Sequence, residues 1–129
     1  MGARGRSGID KVMQDPDLVF RARAVRDRGR ILRLAARLGK PIAWSVVAKP
    51  VAQLEEVAHG LAGSAGMFGF AAMGDAAARL ERLAERWRLA PPDAFTARRV
   101  AILARTIAPL IAELSLVDTS AASRSRSRR

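Results

Sequence analysis

Between residues 51 and 114 apolar side chains return every three or four positions, and the pattern breaks only at Gly69 and around Pro91-Pro92. That spacing is the signature of one face of an α-helix. Breaks this short leave consecutive helices no geometry but to fold back on one another. The second helix of the chain is expected from Pro50, a residue suited to a first helical turn, with Val51, Leu54, Val57 or Ala58, Leu61, Ala65 and Phe68 inward. A third follows Gly69, with Met73, Ala76 or Ala77, Leu80, Leu83 and Trp87 inward, and Pro91 and Pro92 end it. Asp93 is expected to cap a fourth helix reaching about Leu116, built on Phe95, Val100, Leu103, Ile107, Leu110, Ile111 and Leu114. Pro109 inside it predicts a kink or a split. No segment alternates with period two over a useful length.

Upstream, apolar residues recur at Leu18, Ala22, Val25, Leu32 and Ala36, which predicts a first helix over Asp17 to Leu38 with seven arginines on its other faces. Gly39 and Pro41 stop it, and residues 40–50 read as an extended link or a short helical turn. The expected architecture is all-α, an antiparallel four-helix bundle over residues 16–117, with the His-bearing helix at about 50–68. Residues 1–15 are expected to be flexible. Residues 118–129, DTSAASRSRSRR, hold no aliphatic side chain larger than alanine and are expected to form a disordered basic tail.

The net charge of +11 suggests a polyanion partner until its distribution is read. Residues 1–40 carry +7, residues 118–129 carry +3, and the 77 residues between them only +1. The bundle itself is nearly neutral, and the basic residues form its N-terminal region and its tail. With no cysteine there is no disulfide framework and no thiolate metal site, which fits a reducing, cytoplasmic setting. The N-terminus lacks an apolar stretch after its basic residues, and no run of 18 apolar residues occurs, so no membrane span is expected.

One histidine occurs, in AHGLAGSAGMFG at residues 58–69. On a helix, His59 shares its face with Glu55 and Glu56 one turn before and with Ala62, Gly63 and Gly66 one to two turns after, while Leu54, Ala58 and Leu61 point elsewhere. The imidazole therefore projects outward beside nearly bare backbone. Two explanations fit: a close helix crossing with His59 as an ordinary surface residue, or clearance for a visiting active site.

The string AHGLAGSAGMFGF, followed by AARLERLAE, resembles the histidine-containing phosphotransfer (HPt) domain family of bacterial two-component phosphorelays. The matching positions are Ala58, His59, Leu61, Gly63, Ser64, Ala65, Phe68, Gly69, Leu80 and Glu81, and the close match covers about residues 54–85. The resemblance implies a four-helix bundle in which His59 is phosphorylated on a ring nitrogen, exchanging the phosphoryl group with the aspartate of a response-regulator receiver domain. It implies a hybrid histidine kinase or a receiver as partner, a phosphocarrier rather than a conventional enzyme, and a monomer. The Mg²⁺ of the reaction would belong to the receiver, with no cofactor or metal on this chain. Gly63 would leave room for docking, and Ser64 would bond back to the backbone or steady the helix beneath the histidine. The sequence departs from the family at three places. The lysine expected three residues after the histidine is Ala62, with Arg79, Arg82 and Arg86 of the third helix as candidates to supply its charge. Position 60, usually a small polar residue, is Gly60, and the link over residues 39–50 is longer than the pattern.

Two other classes compete. The arginines of the first helix and the RSRSRR tail could hold nucleic-acid phosphates without sequence preference, making the chain a basic binding or docking protein without phosphotransfer. LAARLGKPIAWSVV has a faint helix-turn-helix look, but Pro41 and Pro50 crowd its would-be recognition helix. A conventional enzyme would need a Ser/His/Asp set, paired carboxylates, a phosphate loop or a metal cluster, and the sequence offers none of these. Trp44 and Trp87 read as core or rim aromatics.

Overall fold

In the computed structural model the backbone is described from residue 15 to residue 127 and side-chain burial from residue 15 to residue 117. The expected flexible N-terminus lies outside the described residues except for Asp15.

The helix α1 spans Pro16–Arg37. Its start is written locally: the Asp15 carboxylate accepts the Asp17 amide at 3.0 Å, and Pro16 occupies a first-turn position where no amide is needed. A two-residue strand β1, Ile42–Ala43, leads into α2, Trp44–Ser64, which runs into a 3₁₀ turn over Ala65–Phe68. After Gly69 comes α3, Ala71–Leu89, then strand β2, Ala94–Phe95, and finally α4, Ala97–Ser127. The strands pair antiparallel, Ile42 with Phe95 and Ala43 with Ala94. Neighbouring helices are joined by side-chain pairs whose order reverses from one to the next. Arg23 reaches Ser64, Glu55 meets Arg88, His59 meets Glu81, and Arg28 meets Ser115. The result is an antiparallel four-helix bundle around one apolar core, in which α2 and α3 make the most extensive contact.

The histidine helix begins at Trp44 rather than Pro50, so most of the expected link is its first two turns. Those turns are held by aromatic packing and strand pairing. Trp44 meets Trp87 edge-on at 6.3 Å, and Trp87 meets Phe95 at 5.6 Å. Pro50 is therefore internal and buried on the core face, and it removes one backbone donor from the helix. The fourth helix starts at Ala97, not at Asp93. Thr96 caps it, accepting the Arg99 amide at 3.3 Å, because Phe95 is pulled fully into the core and holds the preceding residues extended. Pro109 does not split this helix. The helix assignment runs on to Ser127, and the side chains of the expected tail, residues 118–129, lie outside the described residues.

On α1 the core face differs from the expected one. Phe20, Ala24, Ile31 and Leu34 are buried, together with Leu38 just beyond the helix, whereas Leu18, Val25 and Leu32 are 49 %, 41 % and 40 % exposed. The helix carries two apolar stripes on opposite sides, and the true one is interrupted by Asp27. Its Oδ2 is buried without a hydrogen bond, 3.4 Å from the Arg23 Nε. Burial pushes this carboxyl above its ordinary value, and Arg23 opposes the shift.

Ala97–Val117 is long and apolar enough to cross a membrane by length and composition. Leu103, Ile107, Leu110, Leu114 and Val117 of that stretch lie in the bundle core, while Ala101, Ala104, Ala108 and Ala112 on its outer side are exposed.

Candidate functional site

Leu54, Ala58, Leu61 and Ala65 bury one side of α2 completely, which fixes the rotation of the helix and turns His59 outward. Its side chain is 78 % exposed. The α2 helix ends at an anchored point. Gly69 adopts φ 84°, a conformation that favours glycine, and the Gly69 and Phe70 amides bond back to Gly66 and Ala65. The rings of Phe68 and Phe70 then stack on Phe20 of α1 at 4.8 and 5.5 Å.

Glu81, from the facing turn of α3, holds the imidazole. His59 Nδ1 and Glu81 Oε2 are 2.5 Å apart. An ionised carboxylate only accepts, so when the ring is neutral its proton sits on Nδ1 and its lone pair on Nε2, on a side chain open to solvent. The carboxylate also sets the ring's orientation, as partners of catalytic histidines do elsewhere. Ala52, Glu55, Glu56 and Arg88 line the same shallow groove. Glu55 is engaged by Arg88 through Nε at 2.9 Å and Nη2 at 3.1 Å, so its charge is balanced.

The small residues near His59 divide into two groups. Ala62 and Ala65 form the crossing of α2 with α3. A Cβ placed on Gly74 would meet the Ala65 Cβ at 3.6 Å and the Ala62 carbonyl at 3.9 Å. Gly63 and Gly66 are exposed, and a Cβ on either would meet nothing within 4 Å among the described residues. Among the described residues no contact requires those two glycines. Gly60 is different, since the Arg23 guanidinium lies where its Cβ would be. Among the described residues the Ser64 side chain has no hydrogen bond to backbone. Its Oγ accepts from Arg23 Nη1 at 3.4 Å.

Arg79, Arg82 and Arg86, the candidates for a charge near His59, are not brought to it. They point to the other side of α3 and line a cleft of about 520 Å³ with Arg105, Thr106 and Pro109 of α4. The positive side chains near the histidine are Arg88 in its groove and Arg23 against the adjacent residue. Neither stood out in the sequence. Glu55–Arg88 and Arg23–Ser64 span 33 and 41 positions, and only the bundle's register brings them together. Among the described residues no group of three or more His, Cys, Asp and Glu could hold a metal ion.

Among the described residues the arrangement is a solvent-facing imidazole with one nitrogen bonded to Glu81 and its neighbouring glycines clear. It suits attack on a group presented by another macromolecule. Compared with known proteins, the family model described as the Hpt domain matches residues 19–115. No curated protein and no solved structure matches the chain.

Proposed function

The chain belongs to the Hpt domain family, whose members carry out histidine phosphotransfer in two-component phosphorelays, and from that premise we propose that His59 is its phosphoacceptor. The Nε2 lone pair attacks the phosphorus of an aspartyl phosphate on a receiver domain. The P–O bond to the aspartate breaks, its electron pair leaves on that carboxylate, and an N–P bond forms. The Nδ1 proton stays on the ring, opposite the Glu81 carboxylate, which balances the positive charge the ring gains. The reverse sequence returns the group to a second receiver. Such a step asks for in-line positioning and charge neutralisation more than for covalent machinery.

The observation that supports this reading most directly is the His59–Glu81 pair on an otherwise open surface. It leaves a nucleophilic nitrogen that another protein's active site can reach. Glu56, exposed at the groove's edge, and the open backbone of Gly63 and Gly66 bound the docking area. The partners are a receiver domain, a hybrid histidine kinase or both, the chain acts as a monomer, and the setting is the cytoplasm.

The test is direct. Incubation with a receiver domain charged by acetyl phosphate should place acid-labile, alkali-stable phosphate on the wild type and none on His59→Gln. Equal labelling of the two proteins would remove His59 from the reaction.

A further inference from the structure

We propose that Arg23 of α1 is the side chain that neutralises the phosphoryl group on His59, the part that Ala62 is too short and uncharged to take. The proposal rests on His59 being the phosphoacceptor and adds a residue from a different helix to that site.

Three contacts place the guanidinium. Its Nε is 3.4 Å from Asp27 Oδ2, its Nη1 donates to Ser64 Oγ at 3.4 Å, and its Nη2 lies against the α carbon of Gly60. Gly60 and Ser64 follow His59 by one and five positions, roughly 100° and 140° around the α2 axis from it. That is the α1 side of the imidazole, while Glu81 approaches from the α3 side. Glu81 thus bonds the ring from the α3 side, and the guanidinium lies beside the next residue, Gly60, on the α1 side. Nε and Nη1 are engaged within the chain, whereas Nη2, the nitrogen beside the residue adjoining His59, has no partner among the described residues. Arginine offers five donors in a planar fork suited to phosphoryl oxygens, and Nη2 is the part of that fork left over.

The placement also accounts for a glycine that nothing else explains. Gly60 sits inside α2, where glycine is about 1 kcal/mol worse than alanine. Any side chain at that position would evict the guanidinium. Two departures from the family pattern, at positions 60 and 62, then have one cause. The charge reaches the site from α1 rather than from the next turn of α2, and position 60 is cleared to admit it. Phe20, one helical turn before Arg23, is locked to Phe68 and Phe70 and keeps α1 in register with the end of the histidine helix.

A purely structural role for Arg23, as partner of the half-buried Asp27, makes a different prediction. The distinguishing readout is the phosphoryl group's own titration, followed by ³¹P NMR on protein phosphorylated with phosphoramidate, which needs no docking partner. A cation at the oxygens favours the dianion and lowers the titration midpoint. The midpoint should rise in Arg23→Gln and in Gly60→Ala, and return in the double variant Arg23→Gln/Ala62→Lys, which supplies the charge from position 62 and does nothing for Asp27. Transfer from a charged receiver should slow about tenfold in Arg23→Gln, short of the loss at a buried oxyanion donor because Arg23 is 38 % exposed. Should Arg23→Gln fail to fold, Gly60→Ala carries the same comparison with the Arg23 and Asp27 side chains both present. An unchanged midpoint and transfer rate in a folded Arg23→Gln protein overturns the assignment and leaves His59 as acceptor. Absence of phosphohistidine on the wild type overturns both.

Discussion

Gly63 offers the sharpest test of why the histidine's face is bare. It is exposed on α2 one turn after His59, and a Cβ there would meet nothing within 4 Å among the described residues. Its φ is not positive, since Gly69 alone among the described residues has that property. Alanine at position 63 therefore brings no clash and no strain, and should stabilise the fold by about 0.5–1 kcal/mol through helix propensity and the narrowed unfolded state. For a bundle of this size that is a rise in Tm of about 2–6 °C, measurable by circular dichroism. Leucine at the same position is also a good helix former and should hold stability within about 0.5 kcal/mol of wild type. It would, however, place an isobutyl group beside the imidazole. Phosphoramidate is small enough to reach Nε2 past it, but a receiver domain would be held off by more than an ångström, a displacement that can slow transfer about a hundredfold. Gly63→Leu should thus label normally with phosphoramidate and poorly with a charged receiver. Loss of stability in Gly63→Ala, or receiver-driven labelling of Gly63→Leu at the wild-type rate, would refute the clearance argument.

Glu81→Ala should slow labelling by phosphoramidate about five- to tenfold, a loss near 1 kcal/mol for a charge-assisted hydrogen bond on an exposed ring, and ¹⁵N shifts should show the Nδ1–H tautomer losing its predominance; unchanged shifts and rate would contradict the pairing. Leu34→Ala should destabilise by about 2–5 kcal/mol in denaturant titrations and Leu32→Ala by less than about 1 kcal/mol, because the first is 6 % exposed and the second 40 %; the reverse order would mean that α1 is rotated. Because burial raises the Asp27 carboxyl above its ordinary value of 3.8, the folded state takes up its proton more readily than the unfolded state. Relative to Asp27→Asn, the wild type should gain stability as pH falls through that raised value and lose it as pH rises above, so a difference that stays flat between about pH 7 and pH 4 would contradict the shift.

How much of this was legible in the sequence varied along the chain. The inward faces of α2 and α3 followed directly from spacing, because each helix has one apolar stripe with charge opposite it. His59 was legible as an outward residue for the same reason, and Glu81 as part of the family pattern. The face of α1 was not, because Leu18, Val25 and Leu32 mark a stripe as regular as the true one, and Asp27 breaks the true one in the middle. The start of α2 was hidden because Pro50 suggests a helix beginning, while the real start depends on Trp44 meeting Trp87 and on Ile42 pairing with Phe95, partners more than 40 positions away. Asp93 reads locally as a better cap than Thr96 and lost to Phe95, whose ring goes into the core. Arg23 was invisible as a site residue, since nothing near it in sequence connects it with position 60.

The two aromatic clusters hold α2 at both of its ends: Trp44 packs against α3 where it begins, and Phe68 and Phe70 clasp α1 just past its last turn. His59 therefore rides on a stiff rod, and even its ring is steadied by Glu81. Little conformational freedom remains to be surrendered when a partner arrives, so little of the binding energy goes into ordering. A modest contact area can then give a productive encounter, and one weak enough to dissociate quickly. On the proposed reading, in which His59 takes the phosphoryl group from one protein and passes it to another, a rigid acceptor shortens the waiting time between exchanges.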